Sequence, residues 1–492
     1  MTIPAAMTIF LLMNRDCLHF INGKHVPSRS GKSFQNFNPA TEEVLGTVAE
    51  GGAEEVDLAV AAAQKAWVGG WKKSKPSERA AVLRKVGELI LQRKEELAMA
   101  ETLDTGKPLW LSTNVDIPRA AGSYQFFANL ISTMGTEAYP MEVGALNYVV
   151  RRPIGVVGLI NPWNLPLLLL SAKLAPCLAM GNAVVLKPAE WTPLTATLLA
   201  GILQEAGIPD GVVNVVHGFG PGSAGEAIAR HPGIGAVAFT GETTTGKHIM
   251  QAAAGNLKKL SFELGGKNPN IIFADSNLEE VVDTTIRSSF INQGEVCLCG
   301  SRVYVEKPVY EQFLEKFTAK TREQRVGDPL EPKTQIGALI SRQHLERVEG
   351  YVQLARREGG AILTGGGRPA SATRGFFLEP TVITGVNREC RIVREEVFGP
   401  VVTVESFAGE EEVIQRANDT HYGLSASLWT NDARRAFRVA EQIEAGLTWV
   451  NTWFLRDPRT PYGGMKESGI GRQGGLFGID FYSEQSTICL KF

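Results

Sequence analysis

The sequence predicts an α/β protein with largely parallel sheets, and three features of its patterning carry that expectation. Between residues 156 and 240, short, wholly apolar runs alternate with stretches of helical periodicity. A second alternation begins near Asn270, and two extended segments, 139–152 and 486–492, belong to neither. Strands that are apolar on both sides need helices on both sheet faces, which a parallel β-α-β succession supplies.

In chain order, residues 1–15 are mildly apolar, with no basic stretch ahead and no small-residue cleavage site behind. They are expected to form a loosely docked extension, with Met7 and Met13 as alternative starts. Phe20-Ile-Asn-Gly-Lys-His-Val26 reads as a hairpin closed at Asn22-Gly23. Residues 56–67 and 76–100 carry the apolar spacing of amphipathic helices. Next come a strand at 156–161, a helix through 172–180, a strand at 183–188 and a helix at 195–206. A strand at 212–216, a helix at 222–230 and a strand at 236–240 complete the first region. The second has strands at 270–273, 302–306 and 400–404 and a helix at 309–322. Unpaired strand edges attract further strands, so 139–152 and 486–492 are the expected oligomer contacts.

Hydrophobic residues make up 44% and charged residues 21% of 492, with a formal net charge of −2. That balance suits a globular protein and offers no basic excess for nucleic acid or membrane. No window approaches the ~18 continuous apolar residues of a membrane span. Six cysteines without paired spacing and no export signal lead us to expect a cytoplasmic setting.

The chemistry concentrates in Asn292-Gln-Gly-Glu-Val-Cys297-Leu-Cys299, with Glu263-Leu-Gly-Gly-Lys267 beginning thirty-four residues before Cys297. A thiolate attacks carbonyl carbon well but is scarce at neutral pH, so a reactive cysteine wants a polar, partly exposed setting that lowers its pKa. The Gly294 turn is a candidate for that setting, and Glu263 for the base. A cysteine is more often a small buried hydrophobe, yet a polar, glycine-containing loop is a poor place for one. Zinc would want about four Cys or His ligands in paired spacings. Cys17, Cys177, Cys390 and Cys489 are scattered singly and the seven histidines form no such pattern, so no metal is expected.

Ligands of parallel sheets bind beyond the carboxyl ends of the strands. Those ends carry Asn161-Pro162-Trp163-Asn164, Lys187-Pro-Ala-Glu190, Gly218-Phe-Gly-Pro-Gly222 and Thr240-Gly241-Glu242. Gly220-Pro-Gly222-Ser-Ala-Gly225 has the spacing of a phosphate cradle, and equally that of a tight strand-to-helix turn. Lys187 and Glu190 make the better ribose site. A carboxylate there accepts both ribose hydroxyls and repels a 2′-phosphate, which favours NAD over NADP.

From about Phe20 to its end the chain resembles the aldehyde dehydrogenase superfamily. Six ordered motifs carry the resemblance: Pro162-Trp-Asn164, Lys187-Pro-Ala-Glu190, Phe239-Thr-Gly241, Glu263-Leu-Gly-Gly-Lys267, the Cys297 segment and Glu395-Glu396-Val-Phe398-Gly-Pro400. It implies a Rossmann-like NAD domain (1–133 and 154–262), an α/β catalytic domain (263–464) and oligomerisation strands (134–153 and 478–492) of a homodimer or homotetramer. It implies Cys297 as nucleophile, Asn164 and the Cys297 N–H as oxyanion donors, and Glu263 as the base for hydrolysis. Glu396 and Phe398 would hold the nicotinamide ribose and Lys187 and Glu190 the adenosine ribose. Asn161, Pro162, Trp163, Gly220, Phe239, Thr240, Gly241, Glu242 and Leu264 would line the rest of the NAD site. Cys299 is expected to line the pocket, and Glu242 stands where many members carry a small hydroxyl residue.

Two arginine-bearing segments, Asp116-Ile-Pro-Arg119 and Trp453-Phe-Leu-Arg456-Asp-Pro-Arg459, bear on substrate choice. With Cys297-Leu-Cys299 and Arg287-Ser-Ser-Phe290 they are similar to the branch that oxidises 2-aminomuconic and 2-hydroxymuconic 6-semialdehydes, which carry a carboxylate opposite the aldehyde. Arginine grips carboxylate through two parallel N–H groups. Arg119 and Arg459 are therefore the expected clamp and Arg456 the reserve, with Asn164 near the 2-substituent and the amino compound preferred. A CoA-acylating enzyme would not need Glu263 to activate water. A non-catalytic NAD-binding protein of the same fold would not need the nucleophile, amide and base together.

Overall fold

The computed structural model describes residues 15–492; the expectations for residues 1–14 lie outside them. The larger sheet has eight strands in the order Lys24–Val26, His19–Ile21, Val213–Val215, Ala183–Lys187, Val156–Ile160, Ala236–Thr240, Lys259–Glu263 and Gly469–Ile470. Its five central strands are parallel and its flanks antiparallel. Alternate side chains explain how it is covered. Val157, Leu159, Val184, Leu186, Ala236 and Ala238 face one apolar cluster with the Pro166–Ala179 and Leu194–Glu205 helices. Val156, Ile160, Ala183, Val185, Val237 and Phe239 face another with the Ala53–Gly69 and Ala224–Arg230 helices. The continuous apolar runs of the sequence are thus strands buried on both sides.

The second sheet has seven strands, ordered Ala361–Thr364, Thr381–Thr384, Val401–Phe407, Gly300–Glu306, Asn268–Ile272, Ser425–Trp429 and Leu447–Val450. Ile272, Val303 and Val305 pack on one side against the Leu278–Phe290 and Tyr310–Arg322 helices. Ile271, Tyr304 and Leu428 pack on the other against the Glu410–Asn418 and Ala433–Ala440 helices. A third, antiparallel sheet joins Ala138–Met141, Ala145–Pro153 and Ser483–Lys491, with Ser483 opposite Pro153 and Lys491 opposite Ala145. Among the described residues no helix is long and apolar enough to cross a membrane.

Several elements differ from their sequence expectation. The helix expected over 76–100 is two helices, Pro76–Gln92 and Lys94–Thr105, broken at Arg93 (φ −103°, ψ 26°). Arg93 caps the second helix instead, with its Nε 2.7 Å from Glu96. The Pro166–Ala179 helix begins earlier than expected because Pro166 occupies its first turn, where a missing N–H costs no helical bond. The Ile117–Thr133 helix, which bears Arg119, was not foreseen and follows a widened turn at Ser112–Asp116. Cys17, at the edge of the expected N-terminal extension, is buried, and its N–H donates to Thr47 O at 2.7 Å.

Candidate active site

The strand order of the larger sheet reverses between Val156–Ile160 and Ala236–Thr240. At such a switch point the loops leaving the two strands part and open a crevice. Those loops begin at Asn161 and Gly241. The crevice is a cleft of about 210 Å³ lined by Trp163, Asn164, Thr240, Glu242, Leu264, Cys297, Glu396 and Phe398, among others. Five of the six motifs therefore meet in one place.

Cys297 precedes the Gly300–Glu306 strand in a loop whose backbone is unusual. Asn292, Gln293 and Gly294 all have positive φ (51°, 56° and 74°), a conformation that persists only where surroundings hold it. Here they do. Asn292 Nδ2 donates to Glu295 O at 3.1 Å and to Asn164 O at 3.3 Å, and Asn268 Nδ2 donates to Cys297 O at 2.7 Å and Cys299 O at 2.9 Å. Buried Glu295 accepts from Ile340 N at 3.1 Å and Gln293 Nε2 at 3.3 Å. Asn164 Nδ2 donates to Glu295 O at 2.8 Å, which leaves its second amide hydrogen for the cleft.

The electrostatics correct one expectation. Burial pushes the Cys297 thiol up to about 12, assisted by the carboxylates of Glu396 and Glu263; the Gly294 turn does not lower it in the free protein. Cys299 is also corrected. It is buried with Val296, Leu298, Trp449 and Trp453 and is absent from the cleft wall that Cys297 shares, so it packs beneath the nucleophile loop.

Glu263 ends its strand buried, with neither carboxylate oxygen hydrogen-bonded. Burial raises its pKa to about 8 against the opposing pull of Lys173, Arg456 and Arg472. Lys173, also buried, donates only a long bond to Leu169 O at 3.4 Å, and burial lowers its pKa to about 8. An unbonded, readily protonated carboxylate beside the cleft suits proton transfer.

The same cleft fits a dinucleotide. The Asn161 side chain is buried with both its amide nitrogen and oxygen unpartnered, and the Thr240 hydroxyl likewise. Such groups want ligand partners. Lys187 Nζ lies 3.3 Å from Glu190 Oε2 and donates to Pro188 O at 2.9 Å and Gly218 O at 2.8 Å, so the cation is committed and the carboxylate remains half-open. Glu396 Oε1 accepts from Gly266 N at 3.0 Å. A Cβ on Gly265 would lie 2.2 Å from Glu396 Oε2, so only glycine admits this close approach. The Gly220 loop is closed on itself by its own backbone amides. Gly225 N donates to Phe219 O and Glu226 N to Gly220 O, both at 3.0 Å, and Gly222 N donates to Glu226 at 2.9 Å. Its amides close a tight turn, and the loop reaches the site only through Gly218.

A model of the aldehyde dehydrogenase family matches residues 25–488. The chain belongs to the aldehyde dehydrogenase family. It is an oxidoreductase acting on aldehydes. It is 49% identical over 484 residues to 2-hydroxymuconic semialdehyde dehydrogenase of Pseudomonas sp. (strain CF600), covering 97% of this chain and 100% of that one. It is 48% identical over 480 residues to 2-aminomuconic 6-semialdehyde dehydrogenase of Pseudomonas sp., covering 96% and 97%. The NAD+ complex of aldehyde dehydrogenase from Bacillus cereus superposes with a TM-score of 0.96 at 40% identity, covering 100% and 99%.

In this aldehyde dehydrogenase the arginines do not lie as the sequence suggested. Arg119 opens its helix with its guanidinium over the Phe454 ring at 4.4 Å, and Arg456 lies over Tyr462 at 4.1 Å. Among the described residues neither has a carboxylate partner, and Arg456 further depresses the Arg119 pKa that burial already lowers. Arg459 instead points outward, its side chain 80% exposed and its Nε 3.0 Å from Asp457 Oδ1. Three lining residues escaped the sequence reading. Trp191 directly follows Glu190. His344 and Arg347 sit on the Arg342–Arg357 helix, outside any motif. His344 shares a hydrogen bond with Phe398 O at 2.7 Å and lies 3.6 Å from Glu295, tying the Phe398 segment to the nucleophile loop. Arg347 lies 3.6 Å from Glu242 across the cleft.

Proposed function

We propose that this enzyme oxidises 2-aminomuconic 6-semialdehyde to 2-aminomuconate with NAD, and that the 2-hydroxy analogue is its alternative substrate. The observation that carries the proposal is the meeting of Cys297 and Asn164 in one cleft, with Glu263 next to the cleft-lining Leu264. Arg119 and Arg456, which have no carboxylate partner among the described residues, lie over Phe454 and Tyr462, rings of the apolar cluster against which Cys297 also packs. The near-equal identity to relatives named for each semialdehyde supports the substrate class and leaves the 2-substituent to experiment.

Cys297 loses its proton to Glu263 and attacks the aldehyde carbon. The thiohemiacetal oxygen takes up its negative charge beside the free Asn164 amide hydrogen and the Cys297 N–H, donors of the kind whose loss typically costs ~2.7–4 kcal/mol in the transition state. Bound NAD would supply the hydride acceptor that converts this adduct into a thioester. Asn161, Thr240, Glu396 and Phe398 would hold its nicotinamide side and Lys187 with Glu190 its adenosine ribose. Once Glu263 has released the Cys297 proton to solvent, it takes a proton from water, which attacks the thioester, expels the Cys297 thiolate and leaves a carboxylic acid. Arg119 and an arginine of the 453–459 loop would grip the distal carboxylate. Arg456 has the inner position, and Arg459 reaches a ligand only by releasing Asp457.

NADH absorbance with the two enzymatically generated semialdehydes and with simple aliphatic aldehydes tests the assignment. A strong preference for the semialdehydes is expected; an aliphatic preference would overturn the substrate, and no NADH from any aldehyde would favour a non-catalytic NAD-binding protein. Arg119→Ala and Arg456→Ala are each expected to lower kcat/KM for the semialdehydes by about 10–100-fold, as for a charge-assisted pair. An equal loss in Arg459→Ala would show that the Asp457 pair opens, and no loss in any of the three would rule out the clamp.

A further inference from the structure

His344 stands outside every motif of the sequence, yet it meets the cofactor segment where that segment's backbone is least at ease. Phe398 has φ +56°, a left-handed conformation that a bulky aromatic residue rarely adopts without outside support. His344 supplies support from a helix distant in the chain. Its Nε2 lies 2.7 Å from Phe398 O; a carbonyl only accepts, so Nε2 carries the proton and donates it. Burial pushes the pKa of the ring down to about 4, so the imidazole is neutral and has this single N–H to give.

The donor is itself held in place. His344 lies in the first turn of the Arg342–Arg357 helix, and its backbone N–H donates to the capping Ser341 hydroxyl at 3.1 Å. One turn further on, Val348 meets the residue after Phe398: a Cβ on Gly399 would lie 2.9 Å from Val348 Cγ1. The imidazole also meets the Trp163 ring edge-on at 5.4 Å, and that ring meets Phe398 at 5.3 Å. Trp163, His344 and Phe398 all line the cleft. Packing alone would not require a donor aimed at the Phe398 carbonyl.

We propose that His344 is a positioning residue, which by donating Nε2–H to Phe398 O keeps Phe398 in the left-handed conformation that presents its ring to the nicotinamide side of the cleft. This rests on Phe398 serving that side of bound NAD.

The test is equilibrium binding of two probes to the full chain, NADH followed by its fluorescence and 5′-AMP by calorimetry. AMP reports the Lys187 and Glu190 end alone. In His344→Asn, whose shorter amide cannot reach the carbonyl, the NADH dissociation constant is expected to rise about three- to tenfold, the worth of one hydrogen bond, with AMP binding unchanged. His344→Gln carries its amide nitrogen where Nε2 now lies and is expected to bind NADH as the wild type does. Unaltered NADH binding in His344→Asn would overturn the proposal. So would an equal loss of AMP affinity, which marks a general loosening, or a His344→Gln variant as weak as His344→Asn. Phe398→Ala separates this proposal from the reading beneath it: unchanged NADH affinity there would refute the role of Phe398 itself, whereas a loss there beside normal binding in His344→Asn would sink only the role of His344.

Discussion

Glu263 is the residue where burial and function are most plainly in tension. A carboxylate in this environment holds its proton to about pH 8, while hydrolysis of a thioester needs it ionised. Its folded pKa is raised, so the active, charged form grows as pH rises and hydrolysis is expected to climb through about pH 8 and level above it. Measuring kcat under hydrolysis-limited conditions checks this; a flat profile from pH 6 to 9 would exclude Glu263 as the base. Glu263→Gln is expected to retain a burst of about one NADH per site while turnover falls roughly 10²–10⁴-fold. That the segments of Cys297, Glu263 and Asn164 meet in one cleft was legible in the sequence because the ordered motifs report it. Their protonation was not, because burial depends on residues such as Lys173 and Arg456 that reach the site only through the fold.

Among the elements, the 292–297 loop shows how local strain and distant support combine. Gly294 has φ +74°, and a Cβ there would lie 2.2 Å from Gly399 O, in the segment that carries Glu396 and Phe398. The glycine lets the nucleophile loop and the cofactor segment touch backbone to backbone. Gly294→Ala is expected to cost roughly 1–3 kcal/mol of stability and to lower activity further than stability alone explains. Denaturant melting compared with NADH production checks it; a variant with normal activity would show that the contact is dispensable. Six of the eight strands of the larger sheet were read nearly residue for residue from the hairpin and the wholly apolar runs, whereas Lys259–Glu263 and Gly469–Ile470, which are not such runs, were not. The helix break at Arg93 and the Ile117–Thr133 helix were not, because the first depends on a local ion pair and the second on a buried face that the sequence does not set apart.

For the whole molecule, the two large sheets are interlocked rather than strung in series. Gly469–Ile470 pairs with Phe262–Glu263, so a segment far along the chain caps the strand that ends in Glu263. Residues 465–477, assigned to no domain from sequence, form this tie. The three-stranded sheet presents Ser483–Lys491, nine residues long, as an edge. We propose it as the oligomer contact, since long open edges recruit strands. Light scattering after size exclusion is expected to give a dimer or tetramer for the full chain and a smaller species for a chain ending at Tyr482. An unchanged mass would place the interface elsewhere.

Sequence by itself determined the α/β class and the family. Apolar periodicity and motif spacing are local quantities that survive without coordinates. Only the tertiary structure decided that Arg459 points outward onto Asp457, that the Gly220 loop is a closed turn, and that Cys299 packs below the Cys297 loop. Each of these depends on how a side chain or amide is partnered by residues far away in the chain. Partnering of that kind exists only once the sheets have met.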